Sequence, residues 1–159
     1  MTTQVDDFLK QAIEYIYPGR WEERLGGFGA TGIMTDGLGI WVAYDDDFIT
    51  FSAGAACDLV LDEQLCQQVG NINIGSKIGA FYLSRQDNGQ WSLIYFVKVS
   101  KRWVDPSSEA SAHMIADILH NIPPIVHARV KYLEENIGLQ VSRFTTDEKA
   151  WWLVLMGHC

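Results

Sequence analysis

Three glycines near the start of the chain have the type and spacing of a cofactor-binding loop. Gly27, Gly29 and Gly32 fit the pattern GxGxxG, and three aspartates follow at residues 45–47. In dinucleotide-binding enzymes such a loop joins a buried strand to a helix whose N-terminus meets the pyrophosphate. Here a polar stretch precedes the glycines, and the residues after them contain two more glycines, which disfavour a helix. We therefore predict a glycine-rich strand and no nicotinamide or flavin cofactor.

Histidines and aspartates suggest a second kind of chemistry, metal binding. His113, His120 and His127 are seven residues apart, so on a helix each lies two turns, about 10 Å, from the next. One metal ion cannot be held by neighbours at that separation. The aspartates at 45–47 lack the alternating ligands and the closing acid of a calcium loop. We predict exposed helix histidines, a solvated hairpin turn at the aspartates and no metal site.

Nucleophilic catalysis has no motif in this sequence. No serine lies in a GxSxG elbow, and no cysteine has a histidine-bearing motif near it. The cysteines Cys57, Cys66 and Cys159 are odd in number and have no repeated spacing, which favours free thiols in a reducing cytoplasm. We predict no catalytic residue and no cofactor. An enzyme or small-ligand sensor with a pocket assembled from distant residues stays open as the alternative.

Aromatic side chains are the most prominent feature and make up 12% of the chain. Several fall on predicted strands that are apolar on both faces. One sheet face should be covered by helices, and by alternation the other should carry large side chains. Either other elements cover those side chains, or they form a surface for a partner. The candidate partner-binding residues are Trp41, Phe51, Tyr82, Trp91 and Tyr95.

The elements that must position these residues begin with a helix and three strands. Apolar residues recur at helical spacing from Val5 to Ile16, before a proline and a glycine that stop the helix. Short apolar runs separated by Asp and Gly then predict three antiparallel strands at 25–35, 40–44 and 48–54.

A helix, a hairpin and a long helix follow. The pattern predicts a short helix from Asp62 to Gly70, and Asn88-Gly89 predicts a tight hairpin turn. The run "WSLIYFVKVS" after this turn is apolar on both faces, which indicates a strand in the middle of the sheet. The last helix should break or kink at Pro123-Pro124 and end at Gly138.

This order of elements predicts one α+β domain. We expect an antiparallel sheet of about five strands, in the order α-β-β-β-α-β-β-α, with helices packed on it. The domain should span residues 1–138, and a tail at 139–159 should extend or cover it.

Charge and hydropathy restrict the partners. The chain of 159 residues has a formal net charge of -8 and a pI near 4.8, so we expect no nucleic acid partner. The N-terminus lacks the charge pattern of a signal peptide, and the apolar run at 150–156 is too short to span a bilayer. We predict a cytoplasmic protein that does not insert into membranes.

The succession of elements resembles one family of folds. The helix "DDFLKQAIEYI", the three strands, the helix leading into "NINIGSKIGAFYL", the hairpin through "DNGQWSLIYFVKV" and the closing helix resemble the bacterial secretion-chaperone-like fold. This fold is shared by type III secretion chaperones and the YbjN and TY-Chap proteins, and the resemblance covers roughly residues 5–137. It implies an acidic cytoplasmic protein, often a homodimer, that binds an extended segment of another polypeptide without chemistry. Our hypothesis is accordingly a peptide-binding chaperone or adaptor, with an obligate homodimer as a simpler use of the aromatic face.

Overall fold

The structure is a computed structural model that describes residues 4–19, 21–24, 30–35, 38–76 and 78–139. Of residues 21–24 and 30–35 only the backbone is described. The helices and strands are α1 (Gln4–Ile16), β1 (Trp21–Arg24), β2 (Ala30–Thr35), β3 (Leu38–Tyr44), β4 (Phe48–Leu59), α2 (Glu63–Ile74), β5 (Ala80–Arg85), β6 (Trp91–Ser100) and α3 (Glu109–Ile137), with a 3-10 turn at Lys101–Trp103.

The described strands form one antiparallel sheet in the order β1-β2-β3-β4-β6-β5. The predicted α+β class is therefore confirmed, but the predicted count of five strands is wrong, because this part of the chain contains six. The additional strand is β1, whose sequence "WEER" is too polar to be recognised by an apolar run. An edge strand needs backbone pairing on one side only, and β1 obtains it from β2, where Trp21 lies opposite Ile33.

The three helices form one hydrophobic core with a single face of the sheet. Leu9 and Ile13 of α1 are almost completely buried, and so are Leu65 of α2 and Leu119 of α3. α1 is also held at the end of β6 by an ion pair of 2.7 Å between Asp6 Oδ1 and Lys101 Nζ, whose side chains are both nearly buried. The first helix therefore lies on the sheet as its amphipathic pattern predicted.

The helix α3 continues through Pro123-Pro124, where the sequence predicted a break or a kink that divides it. Two prolines leave the carbonyl groups one turn earlier without their helical donors, so local propensity alone favours an interruption. Pro123 is buried, and Ile122 and Val126 beside it belong to the core. Tertiary packing thus maintains one helix, which ends at Gly138 in the predicted left-handed conformation (φ 62°, ψ 29°).

The strand β4 is longer than predicted because it contains irregular pairing that the sequence pattern does not reveal. Its register with β6 shifts between Gly54 and Ala56 and again between Ala56 and Leu59. At the second shift Asp58 has a left-handed backbone (φ 58°), and its N–H donates to Gln86 Oε1 at 3.1 Å. Since Gln86 follows β5, this hydrogen bond fastens the end of β4 to the β5–β6 hairpin.

The close approach of Gly79 to β6 supports a stability prediction. Gly79 has a φ of +67°, and a Cβ built on it lies against the carbonyl oxygen of Phe96 and 2.8 Å from Tyr95 Oη. We expect Gly79→Ala to reduce the free energy of unfolding by about 2–4 kcal/mol, because both the left-handed backbone and the backbone contact penalise a side chain. Urea denaturation measures this loss.

The hairpin glycine Gly89 is the matched control. It also has a positive φ, +83°, but a Cβ there meets nothing within 4 Å. Gly89→Ala should therefore reduce the free energy of unfolding by only about 1 kcal/mol, the cost of a left-handed backbone at alanine. Equal losses for the two variants would show that the contact at Gly79 is not the cause.

Candidate partner-binding surface

The sheet has two faces with different surroundings. Along β6, Leu93, Tyr95 and Val97 belong to the core that the helices cover, and we call this side the near face. The residues between them, Ile94 and Phe96, point to the opposite side, which we call the far face.

The five candidate residues do not share a face. Phe51 lies opposite Val97, Tyr95 opposite Phe81, and Trp91 opposite Leu59, so these three belong to the near face. Phe51 and Tyr95 have no accessible surface, and Trp91 is half-buried against the core.

The other two candidates lie on the far face. Trp41 pairs with Ser52, which in turn lies opposite Phe96, and Tyr82 pairs with Ile94. The expectation of one shared face is therefore wrong. In β6 both alternating sets of positions are largely apolar, and such a run does not reveal which set faces the helices.

Aromatic side chains are accessible at two places on the far face, at Tyr82 of β5 and at Phe48 beside the last residue of β6. We call these two residues, together with Phe96, the aromatic margin. Tyr82 is 42% exposed and meets Phe96 edge to face, with 5.4 Å between the ring centroids. Phe48 is 38% exposed, and the ammonium group of Lys98 lies 4.5 Å from its ring centroid. The sequence analysis missed Phe48 and Phe96. Residues two apart along a strand share a face, so this spacing could have revealed both residues once one far-face position in each strand was known.

The strand β5 is an edge of the sheet that the described strands form, so one side of its backbone faces away from β6. Gln86 N–H donates to Gln90 O, so Gln86 and Gln90 are a hydrogen-bonded pair of the antiparallel β5–β6 hairpin. By alternation Ser84 and Tyr82 bond to β6, whereas Arg85, Leu83 and Phe81 direct their backbone groups outward.

One of these outward groups already has a partner. Asn73 of α2 accepts from Phe81 N–H through Oδ1 at 2.7 Å and donates to Phe81 O through Nδ2 at 2.8 Å. A side-chain amide thus occupies the place of a neighbouring strand at Phe81. For Leu83 and Arg85 the structure gives no such partner among the residues that it describes, and the edge is open there.

The residues that could have suggested metal chemistry are placed apart. His113, His120 and His127 are exposed on α3, and His120 stacks on Tyr17 with 5.9 Å between ring centroids. Within the described residues there is no cluster of three or more potential metal ligands. Cys57 is buried, Cys66 is exposed, and no disulfide joins them; Cys159 lies outside the described residues.

The other sequence motifs have structural roles. Asp45 Oδ1 accepts from the N–H groups of Phe48 and Asp47 at 2.7 and 2.8 Å, which closes the β3–β4 turn. The same backbone donors lower the pKa of the Asp45 carboxyl. The described part of the glycine pattern, Gly32, lies in β2, and β2 is followed by an antiparallel strand and not by a helix; Gly27 and Gly29 lie outside the described residues.

A cavity of about 410 Å³ opens where α3 ends beside the end of β4. Its lining includes Asp58 and Asp62 but no histidine. Asp62 caps α2 by accepting from Leu65 N–H at 2.7 Å, and Asp58 accepts from Asn88 at 3.5 Å. Both carboxylates thus have hydrogen-bond partners among the described residues.

Comparison with solved structures identifies the fold. YbjN from Escherichia coli, described as a candidate transcription regulator, superposes with a TM-score of 0.61 at 18% identity, over 82% of this chain and 92% of that chain. The chain has a YbjN-like fold. The Yersinia pestis type III secretion chaperone SycH, in complex with a fragment of YscM2, gives a TM-score of 0.47 at 10% identity, over 77% and 98% of the two chains. No family model and no curated protein sequence matches the chain.

The YbjN-like fold bears out the resemblance that the order of elements suggested. In the described residues, no helix is both long and apolar enough to cross a membrane.

Substitutions can test the assignment of aromatic residues to the two faces. Phe51→Ala should reduce the free energy of unfolding by about 3–5 kcal/mol, because it empties a fully buried site. Tyr82→Ala should cost about 1 kcal/mol, since it removes mainly the edge-to-face contact with Phe96. Both values come from urea denaturation, and equal losses would contradict the assignment.

The buried phenol of Tyr95 predicts a loss of stability at alkaline pH. Burial raises the pKa of Tyr95 above its ordinary value of 10.0, and its hydroxyl donates to the carbonyl of Ile78. The folded state therefore favours the neutral phenol, so this contribution is present below about pH 10 and is lost as the pH rises through the folded pKa. The free energy of unfolding should therefore fall as the pH rises above about 10.

Tyr95→Phe should flatten this pH dependence, because it removes the ionisable group. Tyr15→Phe, at an exposed position of α1, is the control and should leave the slope unchanged. An unaltered slope in Tyr95→Phe would show that another group causes the alkaline loss.

Proposed function

We propose that the protein is a non-catalytic adaptor or chaperone that binds an extended segment of another polypeptide. The segment adds to the open edge of β5 and places alternate side chains against the aromatic margin of the far face. The observation that carries this proposal is the outward backbone of Leu83 and Arg85, which has no partner in the described part of the chain, next to the exposed ring of Tyr82. Strand addition of this kind derives affinity from main-chain hydrogen bonds and specificity from side-chain contacts.

The register of β5 indicates which residues a bound segment can have at each position. The outward N–H and C=O groups at Leu83 and Arg85 require an extended backbone with a free N–H at the paired position, so proline is excluded there. A residue pointing to the far face would lie beside Tyr82 and gain from an apolar or aromatic side chain. The net charge of -8 disfavours strongly acidic segments.

Asn73 sets the boundary of this binding edge. Its amide occupies both backbone groups of Phe81, so an added strand can pair with β5 only toward Arg85. A bound segment can therefore form only a few main-chain hydrogen bonds with β5. Contacts with the aromatic margin must supply the rest of the binding free energy.

The position of β5 at one edge of the described antiparallel sheet supports a binding role in which a partner strand pairs with it. We further propose a cytoplasmic location and a homodimer. A second copy whose β5 edge pairs with the first would satisfy the same backbone groups, so a dimer formed there and partner binding are mutually exclusive at β5.

A backbone substitution at the edge tests this function. Because the Arg85 side chain is exposed and its N–H points outward, Arg85→Pro removes an external donor without removing a hydrogen bond to β6. A peptide selected from a random phage-displayed library on the unsubstituted protein serves as the probe. We expect Arg85→Pro to weaken its binding at least about tenfold in fluorescence anisotropy.

Arg85→Ala is the matched control, since it removes the same side chain and keeps the N–H. It should bind the probe peptide nearly as the unsubstituted protein does, whereas Tyr82→Ala should weaken binding through loss of the aromatic contact. Light scattering of the same samples reports the oligomeric state. Failure to select any peptide, or equal binding by the two Arg85 variants, contradicts the proposed function.

A further inference from the structure

The middle of the far face is enclosed, in contrast to its margin. Trp41 is 8% exposed, Ile94 is 2% exposed and Ser92 is 1% exposed, although all three point away from the helices. None of them belongs to the hydrophobic core that α1, α2 and α3 build with the near face. An uncovered residue at the centre of a sheet keeps considerable exposure, so this part of the far face has a cover of its own.

We infer that the far face is a docking surface for the C-terminal segment of the same chain, with residues 150–156 as its apolar contact. This segment reads "AWWLVLM", and its two tryptophans and three aliphatic residues match the apolar chemistry of Trp41 and Ile94. The inference does not depend on the proposed function, because the burial of Trp41, Ile94 and Ser92 supports it without any partner.

The chain leaves the described domain at the end of the sheet where the enclosed part of the far face begins. Leu139 packs against the core, and together with Ile137 it lines the cavity beside Leu59. Leu59 ends β4 and lies opposite Trp91, the first residue of β6. The exit point is therefore at the end of the sheet next to Ser92, where the enclosed part of the far face begins.

The segment has sufficient length to reach this surface. Eleven residues separate Leu139 from Trp151, counted from Gln140 to Ala150, and they span up to about 36 Å when extended. The ten residues of β6 extend about 33 Å. Residues 150–156 can thus lie anywhere along the far side of β4 and β6.

Charge favours the same arrangement. Residues 140–159 contain Arg143 and Lys149 against Asp147 and Glu148, so their formal charge is zero, and the charge of -8 belongs to the preceding domain. A neutral apolar segment meets no net repulsion from an acidic domain. Its docking beside Tyr82 would also make it a neighbour, and thus a competitor, of any segment added at β5.

Photo-crosslinking in the full-length chain tests the inference. Benzoylphenylalanine replaces Tyr82, which lies directly across from Ile94 and is exposed enough to accept the change. After irradiation, mass spectrometry of the monomer band should find crosslinks to residues 150–156. The same group at His113, an exposed position on α3, is the control and should give no crosslinks to that segment.

The variant Trp151→Asp with Trp152→Asp should reduce these crosslinks several-fold, because it removes the apolar contact. Gln140→Asp adds charge to the same segment outside the apolar run and should leave the crosslinks unchanged. Irradiation of a mixture of light and heavy isotope-labelled protein identifies contacts between two copies. Two outcomes overturn the inference: crosslinks that are predominantly between heavy and light chains, or the absence of crosslinks to 150–156 in the chain with the unsubstituted segment. Neither outcome depends on whether the double variant folds.

Discussion

The pairing of β6 between β4 and β5 is the constraint on which the rest of the structure depends. Because side chains alternate along a strand, this pairing sends Tyr95 into the helix-covered core and Phe96 to the opposite side. A shift of one residue would exchange the two sets. The core with its helices, the aromatic margin and the enclosed middle of the far face all follow from one register.

The register is stabilised at both ends of β6. At its start, Gln86 and Asp58 join the hairpin to the irregular end of β4, and at its end Lys101 forms the nearly buried ion pair with Asp6 of α1. Between them, Gly79 permits the chain to approach Phe96 so closely that any side chain would displace it. These contacts link residues far apart in sequence, and together they determine which aromatic residues remain available at the surface.

The β5 edge of the sheet is protected at one position and has no described partner at two others. Asn73 satisfies the outward groups of Phe81, which limits uncontrolled strand addition, while those of Leu83 and Arg85 have no partner among the described residues. Tyr82 between them faces the far side, so an exposed aromatic ring lies beside these backbone groups. This coincidence distinguishes the edge from the cavity at the end of α3, where both acids already have structural partners.

The sequence by itself determined the helix α1, the start of α2, the hairpin at Asn88-Gly89 and the left-handed end of α3, because these features depend on local periodicity and turn chemistry. It also predicted a glycine-rich strand at the glycine pattern, and Gly32 lies in β2, which pairs with an antiparallel strand. Only the tertiary structure decided that β1 is a strand, that α3 continues through Pro123-Pro124 and that Phe51 and Tyr95 are core residues while Tyr82 is accessible. Each of these depends on contacts between distant segments, and a strand that is apolar on both faces contains no local signal for the side on which its helices will lie.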